Sequence, residues 1–367
     1  MTKMITLDDV TKRFGDSAEE AVRGLSMEIE EGEIVVLVGP SGCGKTTTMK
    51  MINRLIEPTS GRIAVAGSDV MEQDPVQLRR TIGYVIQSVG LMPHRTIAQN
   101  IAIVPKLLGW KPERIAGRVR ELLDIFHLSD GLLGRYPSEL SGGQRQRVGV
   151  ARALAADPPV MLMDEPFGAV DPIVRSRLQD QFLEIQQQLQ KTIVFVTHDI
   201  DEAIKMSDRI AILDQGAKIE QFAPPEEILQ LPANDFVKGF VGAERGLKRL
   251  ALIKISDVEI EDGPVVSVGA SAEEARVAMR NFEVDWVSIV DEGRLLGWIS
   301  ASSLDDHTSV AGIEPRPFSA HVTFEDSLRQ ALDSIVTSKT HIAAVVSDDN
   351  RYEGVLSLEW ISREVVS

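Results

Sequence analysis

The chain has one cysteine, few aromatic residues and no long hydrophobic run. Cys43 is the single cysteine among 367 residues, so an intrachain disulfide is excluded and a reducing compartment is favoured. No apolar run approaches the roughly 18 residues that a membrane span needs, and the N-terminus lacks the apolar stretch of a signal peptide. We therefore expect a cytoplasmic chain whose link to a membrane depends on a partner.

Positive charge is also scarce, with 39 Lys/Arg against 55 Asp/Glu and a formal net charge of −16. The excess is concentrated in residues 246–367, which carry 21 Asp/Glu and 11 Lys/Arg. A nucleic-acid partner requires a basic stripe, so the composition argues against one. The acidity also serves solubility. The length allows two or three domains, and 43% apolar residues support buried cores.

Short apolar runs alternate with helical patterns in the first two thirds of the chain. Residues 4–38 predict strands, and the apolar runs at 160–163 and 192–197 predict buried parallel strands. Residues 46–55, which follow the first of these strand segments, predict a helix. This alternation predicts an α/β core with a parallel sheet. At about 88–154, helical patterns are separated by loops that contain glycine and proline, and this pattern predicts a helical subdomain.

A weak internal repeat follows a plausible linker at residues 244–249. Residues 289–300 resemble residues 345–357, and in each copy a polar turn joins two strands. An amphipathic helix precedes each copy, near 271–282 and near 325–337. We predict two βαββ units that bury their sheets against each other.

A glycine-rich loop lies between the strand that ends at Val38 and the predicted helix. Its residues are Gly39, Pro40, Ser41, Gly42, Cys43, Gly44, Lys45, Thr46 and Thr47. Glycines let the backbone wrap around phosphate, and the helix N-terminus adds positive potential. We expect Lys45 to reach the β- and γ-phosphates of ATP and the Thr46 hydroxyl to bind Mg²⁺. A glycine turn with an incidental lysine is the alternative.

Two acids end the apolar run at 160–163. If the strand continues, Asp164 and Glu165 point in opposite directions, so Asp164 is expected to hold the Mg²⁺ shell and Glu165 to polarise the attacking water. Gln87 follows another short strand and is expected to touch Mg²⁺ or the water. His198 follows a strand at the edge where parallel sheets bind ligands, and is expected to hydrogen-bond the γ-phosphate. The alternatives are surface acids that close a strand and an ordinary histidine.

A second anion site is expected before an Arg/Gln-rich helical stretch, at Ser141, Gly142, Gly143 and Gln144. It offers a hydroxyl, open amides and a helix N-terminus, although an ordinary helix cap is the alternative. Because the glycine-rich loop covers one side of a triphosphate, we expect two chains to bind head to tail with ATP between them. Asp171 is expected to line that interface. Phe14 is expected to stack on adenine, with a core phenylalanine as the alternative.

Together these motifs resemble the ATP-binding-cassette (ABC) ATPases over residues 4–245. Within that superfamily, residues 87–100 and the C-terminal repeat resemble the ATPase subunit of bacterial importers for glycine betaine, carnitine, choline, proline betaine and related osmoprotectants. The resemblance implies a P-loop cassette at 1–245, with a RecA-like core, a helical subdomain and an N-terminal β-subdomain. It also implies an α+β pair of cystathionine-β-synthase (CBS) domains at 246–308 and 309–367, which regulate transport.

The resemblance further implies an ATPase that uses ATP and Mg²⁺ to power import. A homodimer of cassettes would dock on two integral-membrane permease subunits at the cytoplasmic face of the membrane, through residues just after Gln87. An extracytoplasmic binding protein would supply the substrate. The alternatives are an importer for amino acids, polyamines or sugars and, remotely, a soluble ABC ATPase that acts on DNA or the ribosome. The single cassette, the absence of sustained heptads and the acidic balance disfavour the last.

The repeat departs in one respect from CBS domains that bind adenine nucleotides. Those domains usually carry Ser or Thr, two further residues and then Asp at the end of the unit. Residues 300–303 and 357–360 both lack the Asp. This puts ribose binding at the usual cleft in doubt, and leaves ionic-strength sensing through the acidic surface or a ligand such as cyclic di-AMP at the interface between modules.

Overall fold

The computed structural model describes residues 2–15, 19–87, 90–168, 171–338 and 340–366, with the backbone alone at 172–173 and 364–366. The chain divides into two compact units, Met1–Gly242 and Ala243–Ser367.

The strands of the first unit form an antiparallel sheet and a mostly parallel one. They are β1 (Lys3–Arg13), β2 (Glu20–Glu30), β3 (Ile34–Val38), β4 (Ser60–Val65), β5 (Ser68–Asp69), β6 (Ile82–Val85), β7 (Val160–Asp164), β8 (Thr192–Thr197), β9 (Arg209–Asp214) and β10 (Lys218–Ala223). The antiparallel sheet has the order β2-β1-β4-β5. The other has the order β10-β9-β3-β8-β7-β6, with all pairs parallel except β10 with β9. The predicted α/β core and the strands within residues 4–38 are confirmed.

Burial explains why these segments form strands. All residues of β3 and β8 are buried, as expected for parallel strands with both faces covered. In β2, by contrast, Val22, Leu25, Met27 and Ile29 are buried while their neighbours are more exposed. That pattern is typical of a sheet with one face on the core.

The helices of the first unit follow the same chain order. They are α1 (Lys45–Ile52), α2 (Pro75–Thr81), α3 (Ile97–Ile101), α4 (Ile103–Leu107), α5 (Pro112–Ile125), α6 (Gly142–Leu154), α7 (Pro172–Leu189), α8 (Ile200–Met206), α9 (Pro225–Gln230) and α10 (Asp235–Val241). Helix α1 begins at Lys45 and ends at Ile52, so the expected extent of 46–55 is wrong at its end. The chain leaves the helix there because Arg54 has a φ of 51°.

The second unit contains the two predicted βαββ repeats. Its elements are α11 (Arg245–Leu250), β11 (Val265–Ser267), α12 (Ala272–Asn281), β12 (Trp286–Asp291), β13 (Arg294–Ser300), β14 (His321–Val322), α13 (Leu328–Thr337), β15 (Ile342–Val346), β16 (Tyr352–Ser357) and α14 (Leu358–Val366). The sheets β11-β12-β13 and β14-β15-β16 share one topology, with a parallel pair followed by an antiparallel pair. The expected linker at 244–249 is mostly helix α11, whose Leu250 is buried in the apolar cluster of the second repeat.

The two repeats share an aromatic cluster. Trp286 at the start of β12 packs edge-on against Phe318, with ring centroids 6.0 Å apart and an interplanar angle of 87°. Ile342, at the matching start of β15, and Val355 of β16 belong to the same buried cluster. Side chains from both sheets therefore form one continuous apolar contact.

Candidate functional site

The carboxyl ends of three parallel strands place the expected site residues at one edge of the core sheet. β3 pairs with β8, and β8 pairs with β7. Gly39 follows β3, Glu165 follows β7, and His198 follows β8. Adjacent parallel strands end at the same edge, where ligands of such sheets bind.

The glycine-rich loop depends on glycine at specific positions. Gly39, Gly42 and Gly44 have φ angles of 159°, 81° and 114°. A Cβ on Gly39 would overlap the Leu213 carbonyl, and one on Gly44 would lie 2.5 Å from the Ala21 carbonyl oxygen. Larger residues would therefore have to displace the backbone that surrounds the loop. Pro40, Ser41, Thr46 and Thr47 keep some exposure, whereas Cys43 is fully buried.

Lys45 lies inside this loop. Its Nζ donates to the Gly39 carbonyl at 2.7 Å and to the Pro40 carbonyl at 2.9 Å, and lies 3.7 Å from Cys43 Sγ. The side chain is buried, and these contacts satisfy its ammonium within the loop. A charged donor is thereby held at the phosphate-binding loop that the sequence predicts.

Asp164 faces Thr46 at the start of α1. The Thr46 hydroxyl donates to Asp164 Oδ1 at 3.1 Å. Burial raises the pKa of Asp164, the Thr46 hydrogen bond opposes that rise, and the charge of Glu165 adds to it. The hydroxyl and carboxylate oxygens are the hard donors that Mg²⁺ prefers.

Glu165 turns away from Asp164, although not by the strand alternation that the sequence suggested. β7 ends at Asp164, and Glu165 has a φ of 46°, in the left-handed region. Its Oε2 accepts from Gln87 Nε2 at 2.9 Å, and its Oε1 lies 3.2 Å from His198 Nδ1. An ionised carboxylate only accepts, so the His198 tautomer in this contact carries a proton on Nδ1. Asp164 therefore bonds to Thr46, whereas Glu165 contacts Gln87 and His198, and the backbone conformation of Glu165 causes this separation.

Ser141 is the N-cap of α6. Its hydroxyl accepts from the Gln144 N–H at 3.2 Å, and its own N–H donates to the Gln144 side chain at 2.9 Å. This reciprocal pair is a capping box, so the helix-cap reading is correct for both residues. Ser141 and Gly142 are nevertheless exposed at the start of the helix.

Asp171 lies beside this helix start. A groove of about 390 Å³ is lined by Ser141, Gly142 and Asp171, together with residues of α6 and α7. Gly143 lines it as well. The structure therefore brings the expected second anion site and the expected interface residue together. Ala169 and Val170, which directly precede Asp171, lie outside the described residues, as do Ser88 and Val89 after Gln87.

Phe14 follows β1 and is 48% exposed. The alternative of a core phenylalanine is therefore wrong. The Lys12 ammonium lies 5.1 Å from the centre of its ring, a distance within the range of a cation–π contact.

No sequence pattern predicts the buried polar pair that lies next to the turn of His198. Glu202 of α8 and Gln179 of α7 are both buried, and their side chains are hydrogen-bonded. Burial raises the pKa of Glu202, against the hydrogen bonds from Thr197 and Gln179 that lower it. Amphipathic helices normally carry Gln and Glu on their exposed faces, so the sequence does not distinguish these two buried residues from exposed ones.

The chain matches the family described as ABC transporter over residues 22–168 and the CBS domain over residues 255–307. It is 46% identical to the osmoprotectant import ATP-binding protein OsmV of Salmonella typhimurium, covering 98% of this chain and 95% of that protein. The chain belongs to the ABC transporter ATP-binding proteins.

Other members of the family are similar over comparable lengths. The glycine betaine/carnitine/choline transport ATP-binding protein OpuCA of Bacillus subtilis is 47% identical, with 96% of this chain and 94% of that protein covered. Among solved structures, the dimeric ABC transporter cassette MJ0796 is 34% identical, with a TM-score of 0.54 over 60% of this chain and 99% of that chain. The cassette fold and the CBS domain implied by the sequence are confirmed.

The described residues include no helix that is both long and apolar enough to cross a membrane.

The second unit, of which residues 255–307 match the CBS domain, is called the CBS unit below. Ser303 and Trp360 stand at the two positions where the Asp is missing. Ser300 Oγ lies 3.0 Å from Ser302 Oγ and 2.9 Å from Ser303 Oγ, and Ser357 Oγ donates to Glu261 at 2.6 Å. These hydroxyls are thus engaged within the protein itself.

Proposed function

We propose that this chain is the ATP-hydrolysing subunit of an importer for a quaternary amine osmoprotectant. The printed names of its relatives support the cargo class. They include osmoprotectant import, glycine betaine/carnitine/choline transport and, for OpuBA of Bacillus subtilis, choline transport at 45% identity. The alignment with each of these relatives covers at least 94% of the relative's length, so the similarity includes the CBS unit as well as the cassette.

The contact that carries the hydrolytic role is the Glu165 carboxylate between Gln87 and His198. Glu165 would accept a hydrogen bond from water and draw its proton as the water attacks the γ-phosphate. Gln87 and His198 hold this carboxylate at two different oxygens, which fixes its direction. With its proton on Nδ1, the neutral His198 ring offers Nε2 as an acceptor for the attacking water, whereas a hydrogen bond to a γ-phosphate oxygen would require a proton on Nε2 as well.

Thr46 and Asp164 are proposed to hold Mg²⁺, with the Gln87 side-chain oxygen as a further ligand. Mg²⁺ usually binds through one or two protein oxygens together with substrate phosphates, so this small donor set fits it. The ion would neutralise charge on the phosphates. Lys45 and the amides of the glycine-rich loop would bind the β- and γ-phosphates, and Phe14 would stack on adenine.

A second copy is proposed to complete each ATP site. Ser141 and Gly142 present a helix N-terminus to an open groove, and Asp171 lines the same groove. A helix N-terminus favours negative charge, so this surface suits the γ-phosphate held by the opposite cassette. The dimeric MJ0796 cassette is a precedent for such a pair.

Two permease subunits are proposed to bind the cassettes at the cytoplasmic face of the membrane. The residues just after Gln87 lead into α3 to α5, where an apolar cleft of about 390 Å³ is lined by Ala102, Trp110 and Ile115 among others. A binding protein outside the cell would deliver the cargo. The CBS unit would regulate the cycle, either through its acidic surface as ionic strength changes or through a ligand such as cyclic di-AMP.

Uptake of radiolabelled glycine betaine, choline and carnitine tests this proposal. Cells that lack the gene should lose uptake at high external salt and regain it with the wild-type chain but not with Glu165→Gln. Normal uptake of all three in the deletion strain, together with lost uptake of an amino acid or a polyamine, would reject the cargo class.

A further inference from the structure

Helices α7 and α8 are joined by a hydrogen bond that is shielded from water. The Gln179 amide donates to Glu202 Oε1 at 3.0 Å, and the two residues are only 5% and 7% exposed. A second, more exposed set of contacts joins the same helices: Lys205 Nζ of α8 lies 2.7 Å from the Asp180 carboxylate and 3.2 Å from Ser176 Oγ, both in α7. We call the Gln179–Glu202 pair the buried seam.

Glu202 interacts with both sequence neighbours of His198. On one side, the hydroxyl of buried Thr197 lies near enough to the Glu202 carboxylate to lower the pKa of that group. On the other, Asp199 Oδ1 accepts from the Glu202 N–H at 3.3 Å as it caps α8. The Asp199 N–H in turn donates to Thr197 Oγ1 at 3.1 Å. The turn that carries His198 is therefore hydrogen-bonded to Glu202 on the Asp199 side and interacts with its carboxylate on the Thr197 side.

The other partner in the seam belongs to the helix that begins just after Asp171. The Arg175 N–H donates to the Asp171 carbonyl at 2.8 Å, and the Arg175 guanidinium lies 3.8 Å from the Asp199 carboxylate. Gln179 lies one turn further along α7. A displacement at Asp171 would therefore move the seam and, through it, the turn of His198.

Stability alone does not account for the seam. Burial disfavours the ionised form of Glu202 and raises its pKa. Replacing buried charged and polar groups with apolar side chains of similar size is often neutral or stabilising. A fully bonded polar network instead fixes one relative placement of the elements that it joins. The pair therefore fits a role in setting the position of α8 against α7.

We propose that Gln179 and Glu202 are positioning residues that hold His198 against Glu165 and shift it when α7 moves at Asp171. The inference deepens and rests on the proposed function, because it requires the His198–Glu165 pair to act in hydrolysis and Asp171 to meet the second copy. The approach of one cassette would then adjust the hydrolytic residues of the other.

Steady-state ATP hydrolysis by the purified full-length chain tests the seam. Gln179→Leu removes the donor and nearly preserves the volume. We expect kcat to fall about 10- to 100-fold, since a small misplacement of a catalytic group can cost that much. KM for ATP should change less than about threefold, because the binding contacts are unchanged. Lys205→Ala is the matched control: it removes exposed contacts between the same two helices and should keep the wild-type kcat.

An exchange of the two side chains provides a second test. Gln179→Glu alone places two carboxylates face to face and should lower kcat. The double variant Gln179→Glu/Glu202→Gln restores one amide and one carboxylate and should recover most of kcat. This comparison decides the question even where Gln179→Leu fails to fold, because the double variant has the same atoms in reversed order.

The outcomes separate this inference from the function on which it rests. Wild-type kcat in a folded Gln179→Leu variant, or no recovery in a folded double variant, overturns the positioning role. His198→Ala is assayed alongside. If it abolishes hydrolysis while Gln179→Leu does not, the seam alone is rejected. If it leaves hydrolysis intact, the proposed site has failed, and the seam inference falls with it.

Discussion

Gln87 donates its side-chain amide to Glu165 at 2.9 Å, although 78 residues separate them in sequence. Gln87 follows β6 and Glu165 follows β7, and these strands are parallel neighbours in the core sheet. The contact links the segment that leads into α3 to the carboxylate proposed to activate water. Motion of that segment would therefore displace the Glu165 carboxylate.

Glu165→Gln is expected to bind ATP and accumulate as an ATP-bound dimer, but to hydrolyse about 10²- to 10⁴-fold more slowly, the usual contribution of a general base. Phosphate release and analytical ultracentrifugation with ATP measure both effects. Glu226→Gln, at an exposed position in the first turn of α9, is the control and should keep the wild-type rate. Near-normal turnover in Glu165→Gln would remove Glu165 from the proposed role.

Substitutions at Ser141 can separate its capping role from its proposed contact with the opposite ATP. Asn and Asp are both good N-caps, so neither Ser141→Asn nor Ser141→Asp should lower the melting temperature appreciably. Asp adds a negative charge next to the proposed triphosphate, so Ser141→Asp alone should block the ATP-dependent dimer. Equal dimer formation by the two variants in the Glu165→Gln background would place Ser141 away from the nucleotide.

The buried carboxylate of Glu202 predicts a pH dependence of stability. Its pKa in the folded chain is raised above the ordinary 4.5, chiefly by burial, with Asp199 raising it further and Arg175 lowering it. The folded state therefore holds the proton more tightly, and the Glu202 contribution is fully present below pH 4.5 and is lost as pH rises through the folded pKa. Glu202→Gln cannot ionise, so its melting temperature relative to wild type should rise as the pH increases from 4.5 through the folded pKa. A constant difference would contradict the assignment.

Removal of the CBS unit is expected to leave hydrolysis intact when the cut follows Gly242, where the first unit ends. A cut at residue 250 would keep part of α11, whose Leu250 belongs to the apolar cluster of the second unit. ATPase assays of residues 1–242 across a salt series measure the effect. The truncated chain should lose the dependence on ionic strength or nucleotide that the full chain shows. Loss of hydrolysis in a folded truncation would assign the CBS unit to catalytic support.

The sequence predicted the site well where the signal was local. The order of apolar runs and polar ends was sufficient to bring Gly39, Asp164 and His198 to one sheet edge, because adjacent parallel strands end together. The βαββ repeats were predicted from matching turns and amphipathic helices, since periodicity reports burial directly.

What the sequence did not predict depends on backbone angles and long-range contacts. Asp164 and Glu165 point apart because Glu165 has a left-handed backbone conformation. Glutamate rarely adopts that conformation, so its presence at this position does not predict it. The seam of Gln179 and Glu202 joins residues 23 apart through tertiary packing. Helix α11 was expected as a linker, because six residues give too short a window to show periodicity.

The edge-on contact of Trp286 and Phe318 has a consequence for how the CBS unit responds to any effector. Each βαββ repeat covers part of its apolar surface with side chains of the other, so a single repeat released from its partner would expose bulky aromatic groups to water. The pair should therefore melt in one cooperative transition. If an effector loosens or tightens one repeat, the shared apolar contact would transmit the change to the other, so the two repeats would respond as one unit.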